Sequence, residues 1–129
     1  MQDDDPELMN WTSIVLVVAV VVLFYLWKRA GQISHKAAIE HLKQGAMVID
    51  VRTAAEYMAG HLPNAVNMPL SEVEALVARK VKDKSRVLLL HCQSGMRSSV
   101  ARRKLVAMGY TQTFNLGSYN RAAQIVSGK

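Results

Sequence analysis

The sequence predicts an α/β domain with a mostly parallel sheet and helices on both faces, preceded by one N-terminal transmembrane helix. Three observations lead there. Short apolar runs alternate with capped helical segments from Ser34 to Val126. Residues 8–27 carry no charge at all. The apolar run 86–91 passes directly into Cys92-Gln93-Ser94-Gly95-Met96-Arg97 and then into a helical stretch. Ligands of parallel sheets bind at such strand–loop–helix junctions.

The N-terminal segment comes first. Twenty residues at about 1.5 Å each reach about 30 Å, enough to cross a bilayer. Trp11 lies at one end, Tyr25 and Trp27 at the other, as in an interfacial aromatic belt. A lone valine-rich run in lipid has to be helical, because its backbone must satisfy itself. The segment starts acidic and ends Trp27-Lys28-Arg29, unlike a cleaved signal peptide, so a permanent anchor is expected. Lys28, Arg29 and Lys36 follow the span and no base precedes it. The positive-inside bias then places the N-terminus outside the cell (inner) membrane and residues 28–129 in the cytoplasm. The expected order is a short acidic tail over 1–10, a membrane helix over 11–27, a linker over 28–32 and an α/β domain over 33–129.

Within the domain, Ser34 reads as the N-cap of a helix over 35–44 that Gly45 stops. Residues 46–51 form a short strand ending in Asp50-Val51-Arg52. Thr53-Ala54-Ala55-Glu56 fits a capping box opening a helix closed by Gly60. Residues 65–68 make a short strand between Pro63 and Pro69, and Ser71-Glu72-Val73-Glu74 fits a second capping box. That helix runs to about Val81; the strand 87–91, a helix after Arg97 ending at Gly109, a strand over 113–116 and a helix over 119–126 complete the domain.

The loop after the third strand carries chemistry. Free N–H groups at a helix start, with the helix dipole, favour an anion there. A cysteine so placed has a depressed pKa and reacts as thiolate. Gly95 lets the loop curl, and Arg97 adds a full positive charge. His91 precedes the cysteine but points to the other side of the strand, so it reads as a packed core residue.

Composition narrows the function. One cysteine excludes an internal disulfide, and four scattered histidines lack ligand spacing, so no metal and no cofactor are expected. Net charge is +6, yet residues 28–129 hold all 16 Lys and Arg and only six acids, a net +10. Such a domain suits small anions or an anionic lipid surface. No nucleic-acid motif is present, so nucleic acid is not expected as a partner. Arg102-Arg103-Lys104 reads as a solvated face.

These residues resemble the rhodanese, or sulfurtransferase, family. Asp50-Val51-Arg52, Glu56-Tyr57 and Gly60-His61-Leu62-Pro63-Asn64-Ala65-Val66-Asn67-Met68-Pro69 are similar to its upstream signature. Cys92-Gln93-Ser94-Gly95-Met96-Arg97-Ser98 is similar to its active-site loop C-x-x-G-x-R-S. The resemblance implies a rhodanese-like fold and a thiosulfate sulfurtransferase-type activity with Cys92 as nucleophile. It further implies that the N–H groups of Gln93, Ser94, Gly95, Met96, Arg97 and Ser98 hold the transferred sulfur, and that Arg97 holds a small anionic sulfur donor. A thiol or cyanide is the expected acceptor. Asp50, Arg52, Glu56 and His61 are expected to brace sheet and loops. Two features depart from the pattern: Gln93 stands where many members have Arg, and Leu116-Gly117-Ser118-Tyr119 replaces a Gly-Gly turn followed by Trp.

Two rival readings stand beside this one. A cysteine phosphatase loop resembles C-x5-R, whereas Cys92 to Arg97 is C-x4-R, a smaller cradle. A membrane-tethered sulfur carrier or interaction module uses the same cysteine with little turnover.

Overall fold

The computed structural model describes residues 6–29 and 32–128. The chain divides into two compact units at residue 30. In the first, helix α1 spans Pro6–Arg29. Its stretch Asn10–Trp27 has a mean hydropathy of 2.1 and exposed side chains throughout, a length and composition able to cross a membrane. The helix begins at Pro6, so residues 6–10 of the expected tail are helical. Proline is at ease in a first turn, where its missing N–H has no partner to lose. Residues 1–5 of that tail, and Ala30 and Gly31 of the expected linker, lie outside the described residues.

In the second unit, helices α2 (His35–Lys43), α3 (Ala54–Ala59), α4 (Val73–Lys80), α5 (Met96–Ala107) and α6 (Tyr119–Val126) surround strands β1 (Met47–Asp50), β2 (Val66–Asn67), β3 (Leu88–His91) and β4 (Thr113–Gly117). The sheet is wholly parallel, in the order β2-β1-β3-β4. Met47 pairs with Leu88 and Asp50 with His91, so β1 and β3 end level with each other. Alternate side chains leave opposite faces and fill two cores. Ile49, Leu88 and Leu90 pack with Val73 and Val77 of α4 and with Ala101 and Leu105 of α5. Val48, Leu89 and Leu116 pack with Ala38 of α2 and with Ala122 and Ile125 of α6. Strands buried on both faces read as unbroken apolar runs, which is why β3 opens Leu88-Leu89-Leu90.

Most predicted caps form. The Ser34 hydroxyl accepts from the Ala37 N–H, and Thr53 with Glu56 closes a reciprocal capping box. The second predicted box does not form. Glu72 is the N-cap of α4 and makes no side-chain cap bond. The chain enters α4 through a turn in which the Glu72 N–H donates to the Pro69 carbonyl at 2.8 Å, so the geometry at Ser71 is set by Pro69 rather than by a cap. Helix α5 starts at Met96, earlier than expected, which draws Arg97 and Ser98 into its first turn. Arg102 is not merely solvated: its Nε donates to the Thr113 carbonyl at 2.9 Å, tying α5 to β4.

Candidate active site

Cys92 follows the last residue of β3 and is fully buried at the floor of the loop that opens α5. Gly95 is the N-cap of α5 with φ +92°, a left-handed conformation that a Cβ would strain. That curl aims the Gly95 N–H at Cys92 Sγ, 3.0 Å away. The Ser98 hydroxyl lies 3.5 Å from the same sulfur. Burial pushes the Cys92 thiol up, but hydrogen bonds from Ser98, Gly95 and Ser94 outweigh it, and the net shift is downward. The group is therefore disposed to ionise, as a helix-start cysteine should be.

The loop is pinned by the turn after β4. The Cys92 N–H donates to the Gly117 carbonyl at 3.4 Å, and the Tyr119 N–H to the Gln93 carbonyl at 3.2 Å. Gly95 and Gly117 meet backbone to backbone: a Cβ on Gly95 would stand 3.2 Å from the Gly117 carbonyl carbon. Asn115, buried on β4, is the hub between the two segments. Its Oδ1 accepts from the Gly117 N–H at 2.9 Å and from the Ser98 hydroxyl at 2.7 Å, while its Nδ2 donates to the Gly95 carbonyl at 3.2 Å. The Ser98 hydroxyl has one proton, so Asn115, the Gly95 carbonyl at 3.2 Å and Cys92 compete for it, and Asn115 holds the shortest contact.

The remaining predicted residues lie around this loop. Asp50 and Arg52 form a buried pair at 2.7 Å, with a further bond from Arg52 to the Gly60 carbonyl at 2.8 Å. Asn67 Nδ2 donates to the Asp50 and Arg52 carbonyls, so β2 is fastened to the end of β1. Glu56 reaches across to Arg97: the guanidinium donates from two nitrogens to two carboxylate oxygens at 2.7 and 3.0 Å. His61 is exposed, stacks on the Tyr57 ring at 3.8 Å, and places Nδ1 3.0 Å from the Tyr57 carbonyl. It makes no contact with the loop among the described bonds. Gln93, Ser94 and Met96 face outward, whereas Gly95 and Ser98 are buried.

His91 is fully buried, and its ring nitrogens have no hydrogen-bond partner among the described residues. Burial lowers its pKa against the opposing pull of Asp50, 3.9 Å away. Its ring meets Tyr119 edge-on, on the face opposite the Cys92 cluster. Tyr119 also lies under the Arg52 guanidinium at 4.7 Å. Asn115 carries no motif that marks it, and its place on the last strand is the one signal that points to it. Tyr119 opens α6 and closes the Leu116-Gly117-Ser118-Tyr119 stretch that departs from the family pattern.

Comparison with known proteins agrees with this fold. Residues 34–123 match the family described as rhodanese-like domain. The chain is similar to the thiosulfate sulfurtransferase PspE of Escherichia coli K12, 39% identical over 69 residues, covering 54% of this chain and 66% of that protein, just under two thirds of its length. Among solved structures it is similar to a rhodanese with anions from E. coli, with 35% identity and a TM-score of 0.57, covering 60% of this chain and 91% of that one. It is also similar to a human single-domain sulfurtransferase, TSTD1, with 30% identity and a TM-score of 0.59, covering 73% and 96%.

Proposed function

The chain belongs to the rhodanese-like domain family, and we propose that it is a membrane-anchored sulfurtransferase. It moves a sulfane sulfur from thiosulfate or a persulfide, through a persulfide on Cys92, to a thiol or cyanide. The observation that carries this reading is the Gly95 N–H aimed at a buried Cys92 Sγ from the start of α5. The names of its relatives support it.

The chemistry follows from the loop. The Cys92 thiolate attacks the outer sulfur of thiosulfate. The S–S bond of the donor breaks and its electron pair leaves with sulfite. The new outer sulfur is anionic and lies among convergent N–H donors of residues 93–98, which stabilise charge as it forms. An acceptor thiolate or cyanide then attacks that sulfur, and Cys92 leaves as thiolate. No net oxidation occurs in either half. Asp50, Arg52, Glu56 and His61 act as structural support.

Helix α1 serves as a permanent single-pass anchor in the cell membrane, N-terminus outside and the enzyme domain in the cytoplasm. Its support is an uncharged 18-residue stretch followed by Lys28 and Arg29. A reducing compartment keeps a lone thiol free.

The test uses the full chain in detergent micelles. After thiosulfate, intact mass is expected to rise by one sulfur atom on Cys92, and cyanide is expected to remove it as thiocyanate. Cys92→Ser should gain nothing while keeping its fold. A wild-type protein that gains no sulfur from any donor, with Cys92 still freely alkylated, overturns the reading. For the anchor, the membrane-bound protein should retain residues 1–29 by mass; a mature form lacking them would instead mark a cleaved leader.

A further inference from the structure

The chain enters the domain along β4, an outer strand of the sheet. Gln32 bridges to Asn115 in parallel, and the Ile33 N–H donates to the Asn115 carbonyl at 3.1 Å. Arg121, in the first turn of α6, fastens this segment. Its guanidinium donates to the Leu116 carbonyl at 2.5 Å and to the Ile33 carbonyl. Residues 32 and 33 are thus tied to the strand whose Asn115 side chain holds the Cys92 loop.

The Gln32 side chain reaches further, to the turn itself. A Cβ on Gly117 would stand 2.5 Å from Gln32 Nε2 and 3.3 Å from Arg121 Cδ, so these two side chains fill the place that a side chain at 117 would take. Gly117 has a φ of +95°. A glycine visits that region freely but has no preference of its own for it, so its conformation here is set from outside. Among the described residues Gln32 makes no side-chain hydrogen bond, and its hold on Gly117 is one of packing. What Gly117 holds in turn is the nucleophile's loop. Its carbonyl accepts from the Cys92 N–H at 3.4 Å, and its backbone backs Gly95, whose N–H lies 3.0 Å from Cys92 Sγ.

We propose that Gln32 is a positioning residue for the sulfur transfer: by packing on Gly117 it fixes the turn after β4, and through that turn it keeps the Gly95 N–H on Cys92 Sγ. This rests on the sulfurtransferase reading above. Gln32 acts through two glycines in left-handed conformations, Gly117 and Gly95, which only their surroundings hold still. The Gly95 N–H is one of the donors that favour the Cys92 thiolate, so a loosened Gly117 makes that thiolate harder to form. Gln32 follows the end of α1 at Arg29 by three positions, so the segment that links the anchor to the domain is also part of the support of the site.

The experiment follows two readouts on the full chain in detergent micelles: alkylation of Cys92 by iodoacetamide over a pH series, and loading by thiosulfate as intact mass. Gln32→Ala removes the cover from Gly117. Gln32→Met keeps its length and bulk without the amide. Gln32→Ala should raise the alkylation midpoint by about one pH unit, the weight of one hydrogen bond to the sulfur. Its loading rate should fall about tenfold where the pH lies below both midpoints, because the thiolate fraction falls by that factor, and the gap should close as the pH passes the variant's midpoint. Gln32→Met should match the wild type in both readouts. A merely structural role would lower the urea midpoint of Gln32→Ala and leave its alkylation midpoint where it was. That result overturns the proposal, as does a Gln32→Met midpoint that moves as far as the alanine variant's. Alkylation midpoints that respond as expected, in a protein whose Cys92 takes up no sulfur from any donor, are a different result and overturn the transferase reading instead.

Discussion

Arg97 and Glu56 join the two functional segments of the domain across 41 positions of sequence, through a two-pronged ion pair at 2.7 and 3.0 Å. Glu56 is at once the third residue of α3, the acid of that helix's capping box and the partner of the loop cation. One side chain thus couples the start of α3 to the first turn of α5.

Acid should uncouple them. The Arg97 guanidinium, with the Thr53 backbone, holds the Glu56 carboxyl down to about 2 from an ordinary 4.5. A depressed folded-state pKa contributes stability that is complete above the unfolded value and fades as pH falls through the folded one. The stability difference between wild type and Glu56→Gln is therefore expected at pH 6 and should close between about pH 4.5 and 2. Pulse proteolysis of the domain in urea across that range measures it.

Ser98 and Asn115 should tune the nucleophile in opposite directions. Ser98→Ala removes a donor to Cys92 and should raise the midpoint of thiol alkylation against pH. Asn115→Ala frees the Ser98 proton for the Gly95 carbonyl at 3.2 Å and Cys92 at 3.5 Å, and the share that turns to Cys92 should lower that midpoint. The wild-type midpoint is expected below the ordinary cysteine value of about 8.5. Iodoacetamide rates over a pH series report all three.

Asn115→Ala should also cost stability. It leaves the buried Gly117 N–H without its 2.9 Å acceptor, while the Gly95 carbonyl keeps the Ser98 hydroxyl and the Ser99 N–H, each at 3.2 Å. An unsatisfied buried group costs about 1–3 kcal/mol. A lower urea midpoint with an unchanged slope is the expected signature.

Breaking the Asp50–Arg52 pair should be costlier still. Asp50 is fully buried and Arg52 nearly so. Removing one partner of such a pair typically costs about 3–5 kcal/mol, because the other charge stays buried and alone. Arg52→Met and Asp50→Asn should each lower the urea midpoint strongly. The double variant should lose less than the two losses combined, since neither charge is then orphaned.

The sequence by itself determined what local chemistry controls. Ser34 and Thr53 cap their helices because a cap needs only partners three residues away. Leu88-Leu89-Leu90 reads as a buried parallel strand, and the cysteine at its end opens a helix, because strand, glycine and helix are consecutive. The family was legible for the same reason: its two signatures are each continuous. Tertiary structure alone decided the rest. The Ser71 box matches its pattern yet does not form, since the Pro69 turn fixes how the chain enters α4. The partner of Arg97, the hub role of Asn115 and the Arg102 bond to β4 join residues 41, 17 and 11 positions apart. Those pairings depend on which strand ends the parallel sheet sets level and which loops then face one another, and no local spacing encodes that register.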